Sequence, residues 1–146
     1  MSEDRAPRWR MLAFGVLLVG MVGLAAELLL LEHYDEPQQW IPLVSLGVGL
    51  LVAVPVTLGP SRTLVRALQA LMVGYLLVGA AGVYFHLQAN LEFELELHPS
   101  MAGLELAVEV LRGAMPALAP GAIAQLGLVG LLACYRHPSL ASDDRA

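Results

Sequence analysis

The sequence predicts an all-α integral membrane protein, a bundle of four transmembrane helices with one extramembrane amphipathic helix between the third and fourth. Three observations carry that expectation. Of the 146 residues 58% are hydrophobic and 14% charged, whereas an ordinary soluble domain carries about 25% charged residues. The apolar residues fall into long blocks, not into short strands or amphipathic stretches. The charges gather between the blocks, with arginine and carboxylate on alternate connections. At this length the chain is read as a single polytopic membrane domain, residues 1–146.

Arg5, Arg8 and Arg10 precede the first apolar run, residues 11–31. Basic residues there could mark a secretory signal, with Gly23-Leu24-Ala25 as its cleavage site. The run is 21 residues long, past the ~7–15 of a signal core and equal to the ~20 that span a bilayer. The reading is an uncleaved first span. A polar connection, Glu32-His33-Tyr34-Asp35-Glu36-Pro37-Gln38-Gln39, leads to the second span at residues 41–58, with Pro42 in its first turn and Pro55 a kink or stop near its end. Gly59-Pro60-Ser61 is a tight turn. The third run covers residues 64–87 and begins beside Arg62 and Arg66.

Residues 88–116 form the one sizeable polar segment between runs. In it, residues 100–114 read as a helix with Ser100 as N-cap. Met101, Leu104, Val108 and Leu111 share one face, and Glu105, Glu109 and Arg112 another. Such a helix can lie on the bilayer or across the mouth of the bundle. The fourth span is expected over residues 117–135, opened by Pro116 and Pro120.

Orientation follows from arginine placement. The N-terminal segment, the second connection and the C-terminal segment hold seven arginines and four acids. The first connection and residues 88–116, with Glu27, hold nine acids and one arginine. The chain is therefore expected in a bacterial-type inner (plasma) membrane, multi-pass, with both termini cytoplasmic and an acidic outer face. Trp9 and Tyr135 then mark the inner interface, and Tyr34, Trp40 and Tyr84 the outer one.

The unusual chemistry lies in His86-Leu-Gln-Ala-Asn-Leu-Glu-Phe-Glu-Leu-Glu-Leu-His98. Over residues 91–98 leucine or phenylalanine alternates with glutamate or histidine, a period of two that suits a strand. No partner strand is evident, and one alone is unstable. A continuation of the third helix is preferred. It places His86, Asn90, Glu94 and His98 at i+4 spacing, and Pro99 supplies the stop.

Glu27 sits four residues before the end of its run, roughly 6 Å inside it. It follows Gly20 and Gly23 by seven and four residues, and His86 follows Gly79 and Gly82 by the same intervals. Small residues mark helix contacts in membranes, so both polar groups are expected to face the bundle. Glu27, His33, His86, Glu94 and His98 make up the candidate metal set, since imidazoles and carboxylates together suit a divalent transition metal. Against this stand a hydrogen-bonding role for Glu27 and His86 and a merely solvated acidic rim. No His-Glu-x-x-His, EF-hand, P-loop or Gly-x-Ser-x-Gly pattern is present. The lone Cys134 forms no internal disulfide. The acidic face gives nucleic acid no electrostatic footprint.

The leading functional expectation is a non-enzymatic accessory or interaction component of an inner-membrane assembly, with no catalytic residues, no certain cofactor and no nucleic-acid partner. Its partners are the lipid bilayer and a second copy or a larger membrane protein. The reason is the run of glycines Gly15, Gly20, Gly23, Gly74, Gly79, Gly82, Gly127 and Gly130, more close-packing surface than four helices need. The alternative is a divalent-metal-binding membrane protein for metal handling or sensing.

Overall fold

Long apolar stretches with few helix breakers give helix here, because a chain that leaves water must satisfy each backbone group within itself. In the computed structural model, which describes residues 8–141, that is the outcome throughout. Helix α1 is Arg8–Leu30, α2 Trp40–Leu58, α3 Arg62–Leu97, α4 Gly103–Arg112 and α5 Gly121–Cys134. No strand occurs among the described residues. The alternation over 91–98 is helical, with the His98 amide closing on Glu94 O at 2.8 Å before Pro99 ends the ladder.

Helix α3 is the spine. Ser61 caps its start, accepting from Leu64 N at 3.2 Å. Its 36 residues extend about 54 Å, well beyond the ~30 Å of a hydrocarbon core. The return limb is broken: α4 lies beside one half of α3, α5 beside the other, with residues 113–120 between them. Pro116 and Pro120 supply no N–H there, and tight bonds from Ala119 N to Pro116 O (3.0 Å) and Gly121 N to Leu118 O (2.9 Å) take the place of regular helix.

Three expectations change. Three helical segments, Arg8–Leu30, Pro37–Leu58 and Arg62–Leu97, are long and apolar enough to cross a membrane. The fourth run is helical for only 14 residues, about 21 Å, because its two prolines delay the start. Ser100 is not an N-cap. It lies in the turn after Pro99, Ala102 takes the cap position without a side-chain bond, and Gly103, at φ 67°, starts α4 from the left-handed region. Nor does α4 rest across the bundle's mouth, since its packing is against α3. Leu104 and Leu111 of the expected apolar face point outward, 81% and 57% exposed.

Leu17 and Met21 of α1, Leu46 and Ala53 of α2, Leu68, Met72 and Tyr75 of α3 and Ala133 of α5 form the core. Helices α3 and α5 approach most closely, through glycine. A methyl group on Gly79 would stand 2.9 Å from Ala124 N, and one on Gly127 2.7 Å from Met72 O. Tyr75 Oη donates to Ser45 O at 2.9 Å, tying α3 to α2. Cys134 is buried and free, as expected of a small hydrophobe.

The two ends of the bundle differ. At one, Arg10 of α1 meets the end of α5, and Ser139 Oγ donates to Pro60 O of the α2–α3 turn at 3.4 Å. At the other, His33, His86 and Pro116 gather. The start of α1 and the end of α5 therefore share an end.

Candidate functional site

The histidine end is assembled by a helix terminus. Helix α1 closes with His33 N bonding Leu28 O (2.9 Å) and Glu32 N bonding Leu29 O (3.1 Å). These are the two bonds of a Schellman ending, which puts the intervening residue in the left-handed region. That residue is Glu32 at φ 51°, not the usual glycine, at a cost of about 1 kcal/mol. The turn folds His33 back over the bundle until its ring lies 6.5 Å, centroid to centroid, from that of His86, tilted by 59°. Burial pushes the His33 pKa below its ordinary 6.5, and the neighbouring His86 pushes it further the same way.

His86 is itself tied. Its Nδ1 is 3.1 Å from Pro116 O, and a carbonyl only accepts, so Nδ1–H donates. This leaves Nε2 as the ring nitrogen not committed to Pro116. One turn on, Asn90 is 1% exposed. Its Nδ2 donates to Val110 O (3.0 Å) and Met115 O (2.8 Å), and its Oδ1 accepts from Met115 N at 3.0 Å. His86 and Asn90 thus satisfy three backbone groups of the broken segment between α4 and α5, which has no regular helix to do so, and one carbonyl in the last turn of α4.

The other expected ligands are elsewhere. Glu94 is half-buried, His98 is exposed at the end of α3, and Glu27 is exposed on α1 instead of facing the bundle. Of the two glycines before Glu27, Gly20 packs on Leu126 while Gly23 opens on free space. The five residues do not converge: among the described residues no group of three or more His, Cys, Asp or Glu could hold a metal ion. Only His33 and His86 are brought together. The first connection also faces α3 across a shallow cleft lined by Gln38, Phe85, Gln88 and Glu92, where Gln88 Nε2 donates to Glu92 Oε1 at 3.0 Å.

Two residues matter more than their sequence context suggested. Asn90 had a visible signal, one polar amide at i+4 from His86. Arg10 had none beyond its charge. It is 4% exposed, with Nε donating to Ala133 O and Nη2 to Tyr135 O and Arg136 O, each at 3.2 Å. A guanidinium at a helix C-terminus meets both the unpaired carbonyls and the negative end of the dipole. Beside it, burial and then the charge of Arg10 push the His137 pKa below its usual value.

The chain matches no protein-family model, no curated protein and no solved structure.

Proposed function

We propose that this protein is a non-enzymatic accessory component of an inner-membrane assembly, crossing the bilayer four times with both termini cytoplasmic and the histidine end outward. The observation that carries the reading is unused close-packing surface. Gly20, Gly79, Gly82, Gly127 and Gly130 are filled by neighbouring helices of the same chain, whereas Gly15, Gly23 and Gly74 face open space. Without a hydrophobic drive between helices in lipid, such small-residue faces are where another helix can approach. The fourth crossing is made by α5 with residues 116–120, the irregular part kept out of hydrocarbon debt by His86. The apolar groove beside α4, lined by Tyr84, Leu87, Leu91 and Val110, adds further unfilled surface. Purification in mild detergent and mass measurement of the intact particle test this. A defined oligomer or a stoichiometric membrane partner is expected, and a monomer with nothing bound contradicts it.

One observation favours a second reading, an outward divalent-metal site smaller than the sequence suggested. A ligating histidine commonly donates its other ring N–H to a backbone carbonyl, as His86 does to Pro116. Two imidazoles sharing one tetrahedral ion through bonds of about 2.0–2.1 Å place their centroids about 5 Å apart, so His33 and His86, at 6.5 Å, close together by about 1–1.5 Å when they take up the ion. Water or a partner's side chain completes the shell. Zn²⁺, Cu²⁺ or Ni²⁺ at a hundredfold excess over its dissociation constant then stabilises the protein by about 2.7 kcal/mol. His33→Ala removes the thermal shift and Glu105→Ala keeps it. Equal shifts in both variants, or none in the parent, reject the site.

A further inference from the structure

Glu27 is an exposed acidic residue of α1, one of the helices long and apolar enough to cross a membrane, and it lies outside the protein's own packing. It lies three residues before the end of α1 at Leu30. The core-facing side of that helix is Phe14, Leu17 and Met21, with Leu24 and Leu28 beside them. At 100° per residue Glu27 falls instead with Leu12, Val16, Val19, Gly23 and Leu30, all of them exposed. Its carboxyl has no hydrogen bond or ion pair among the described residues, while its backbone carbonyl is taken by Leu31 N.

Snorkelling does not rescue it. Side chains on an α-helix tilt toward the helix N-terminus, and the nearer membrane surface lies at the C-terminal end of α1. The short glutamate side chain is therefore aimed away from the headgroups, into hydrocarbon. A carboxyl group so placed is costly unless a donor from another helix meets it. Among the described residues no arginine meets it, and the chain has no lysine. Arg112 is the only arginine between Arg66 and Arg136, and it pairs with Glu109 at 3.8 Å on α4, which packs against α3.

We infer that the Glu27 face of α1 is the docking surface for a partner's transmembrane helix carrying a lysine or arginine at the depth of Glu27. Charge complementarity selects that occupant. A second copy related by a two-fold axis would set carboxyl against carboxyl, and lipid supplies no donor at this depth. Gly23, one turn below, has open space where a side chain would stand, so the partner backbone can come close enough for a lysine stem to reach. This rests on the accessory-component reading and names the chemistry of the partner it requires.

The test uses the full-length protein in phosphatidylcholine vesicles with two fluorescent single-pass polyleucine peptides, one bearing a lysine at the depth of Glu27 and one with leucine there. Energy transfer from donor-labelled protein reads association. The lysine peptide is expected to bind on the order of tenfold more tightly than the leucine peptide, the size of an interhelical polar contact in lipid. Glu27→Gln abolishes the preference, and Glu32→Gln, in the aqueous connection, keeps it. Equal binding of the two peptides overturns the inference, as does a preference that survives Glu27→Gln. Self-association of labelled protein that Glu27→Gln abolishes also overturns it, by making a second copy the occupant. The assembly reading is judged separately by particle mass. A stoichiometric partner in the native particle with no peptide preference removes this inference alone, and a bare monomer removes the assembly reading.

Discussion

Replacing Asn90 with aspartate changes one atom and inverts the clamp that holds the broken return limb. Oδ1 can still accept from Met115 N, but the two carbonyls of Val110 and Met115, at 3.0 and 2.8 Å from Nδ2, then face an oxygen. The site is closed to water at 1% exposure, so neither carbonyl regains a partner without opening. A buried acceptor left unmatched costs about 1–3 kcal/mol, and two of them give about 3 kcal/mol after partial relaxation. Each 1.4 kcal/mol is tenfold, so the segment around Gly113 should open roughly a hundredfold more often. Trypsin reports this directly. Arg112 is the only trypsin site between Arg66 and Arg136, its side chain is exposed, and cutting after it requires the clamped residues to leave α3. When reclosing is faster than cleavage, the cutting rate follows the open population. In detergent, Asn90→Asp and Asn90→Leu are both expected to be cut after Arg112 roughly a hundredfold faster than the parent. Rates within about threefold of the parent for both variants would refute the clamp.

Gly127→Ala sets a methyl group 2.7 Å from Met72 O, a backbone atom that cannot step aside, and should cost about 2 kcal/mol in detergent melts; Gly23→Ala, with open space around it, should stay within about 0.5 kcal/mol of the parent. Arg10→Lys keeps the charge but loses the fork that reaches three carbonyls, and should lower stability by about 2 kcal/mol, read as a melting temperature several degrees lower. The folded-state pKa of His33 lies below the unfolded value of 6.5, so as pH falls through 6.5 the unfolded chain takes up the proton first. Its stabilising contribution is complete above that pH and is lost below it. Melting temperature should therefore drop between pH 7.5 and 5.5, and His33→Gln should flatten the drop. Part of the slope remains because His137 is shifted the same way. An unchanged slope in His33→Gln rejects the assignment.

The helical, membrane-crossing character was legible because apolar run length is a local property. Residues 11–31, 41–58 and 64–87 each carry it on their own; α1 and α2 follow within three residues, and α3 starts within two and runs ten residues further. The i+4 series from His86 was legible for the same reason, and the structure keeps it helical to Leu97. What was not legible depends on pairings between distant residues. Asn90 meets Met115 across 25 positions, and Arg10 meets Ala133 across 123. No local pattern announces either. Glu27 fails for a subtler reason. Its spacing from Gly20 is real, but α1 packs through Leu17, Met21 and Leu28, which centres the buried face about 100° away. The glycine rule read Gly20 and Gly23 alike as helix contacts, whereas Gly20 packs on Leu126 and Gly23 opens on free space, two environments that sequence spacing cannot separate.

The claim on which the rest depends is that α5, with only 14 residues of helix, carries the chain back across the membrane because α3 supplies the missing hydrogen bonds. A membrane-impermeant thiol reagent applied to intact cells tests it most directly, with single cysteines introduced at Gln38, Ser100 and Ala141 and the buried Cys134 left in place. Gln38→Cys and Ser100→Cys should label at once, and Ala141→Cys only after the cells are permeabilised. Labelling of Ala141→Cys in intact cells at the rate of Ser100→Cys would place the end of α5 on the same side as its start and contradict the fourth crossing.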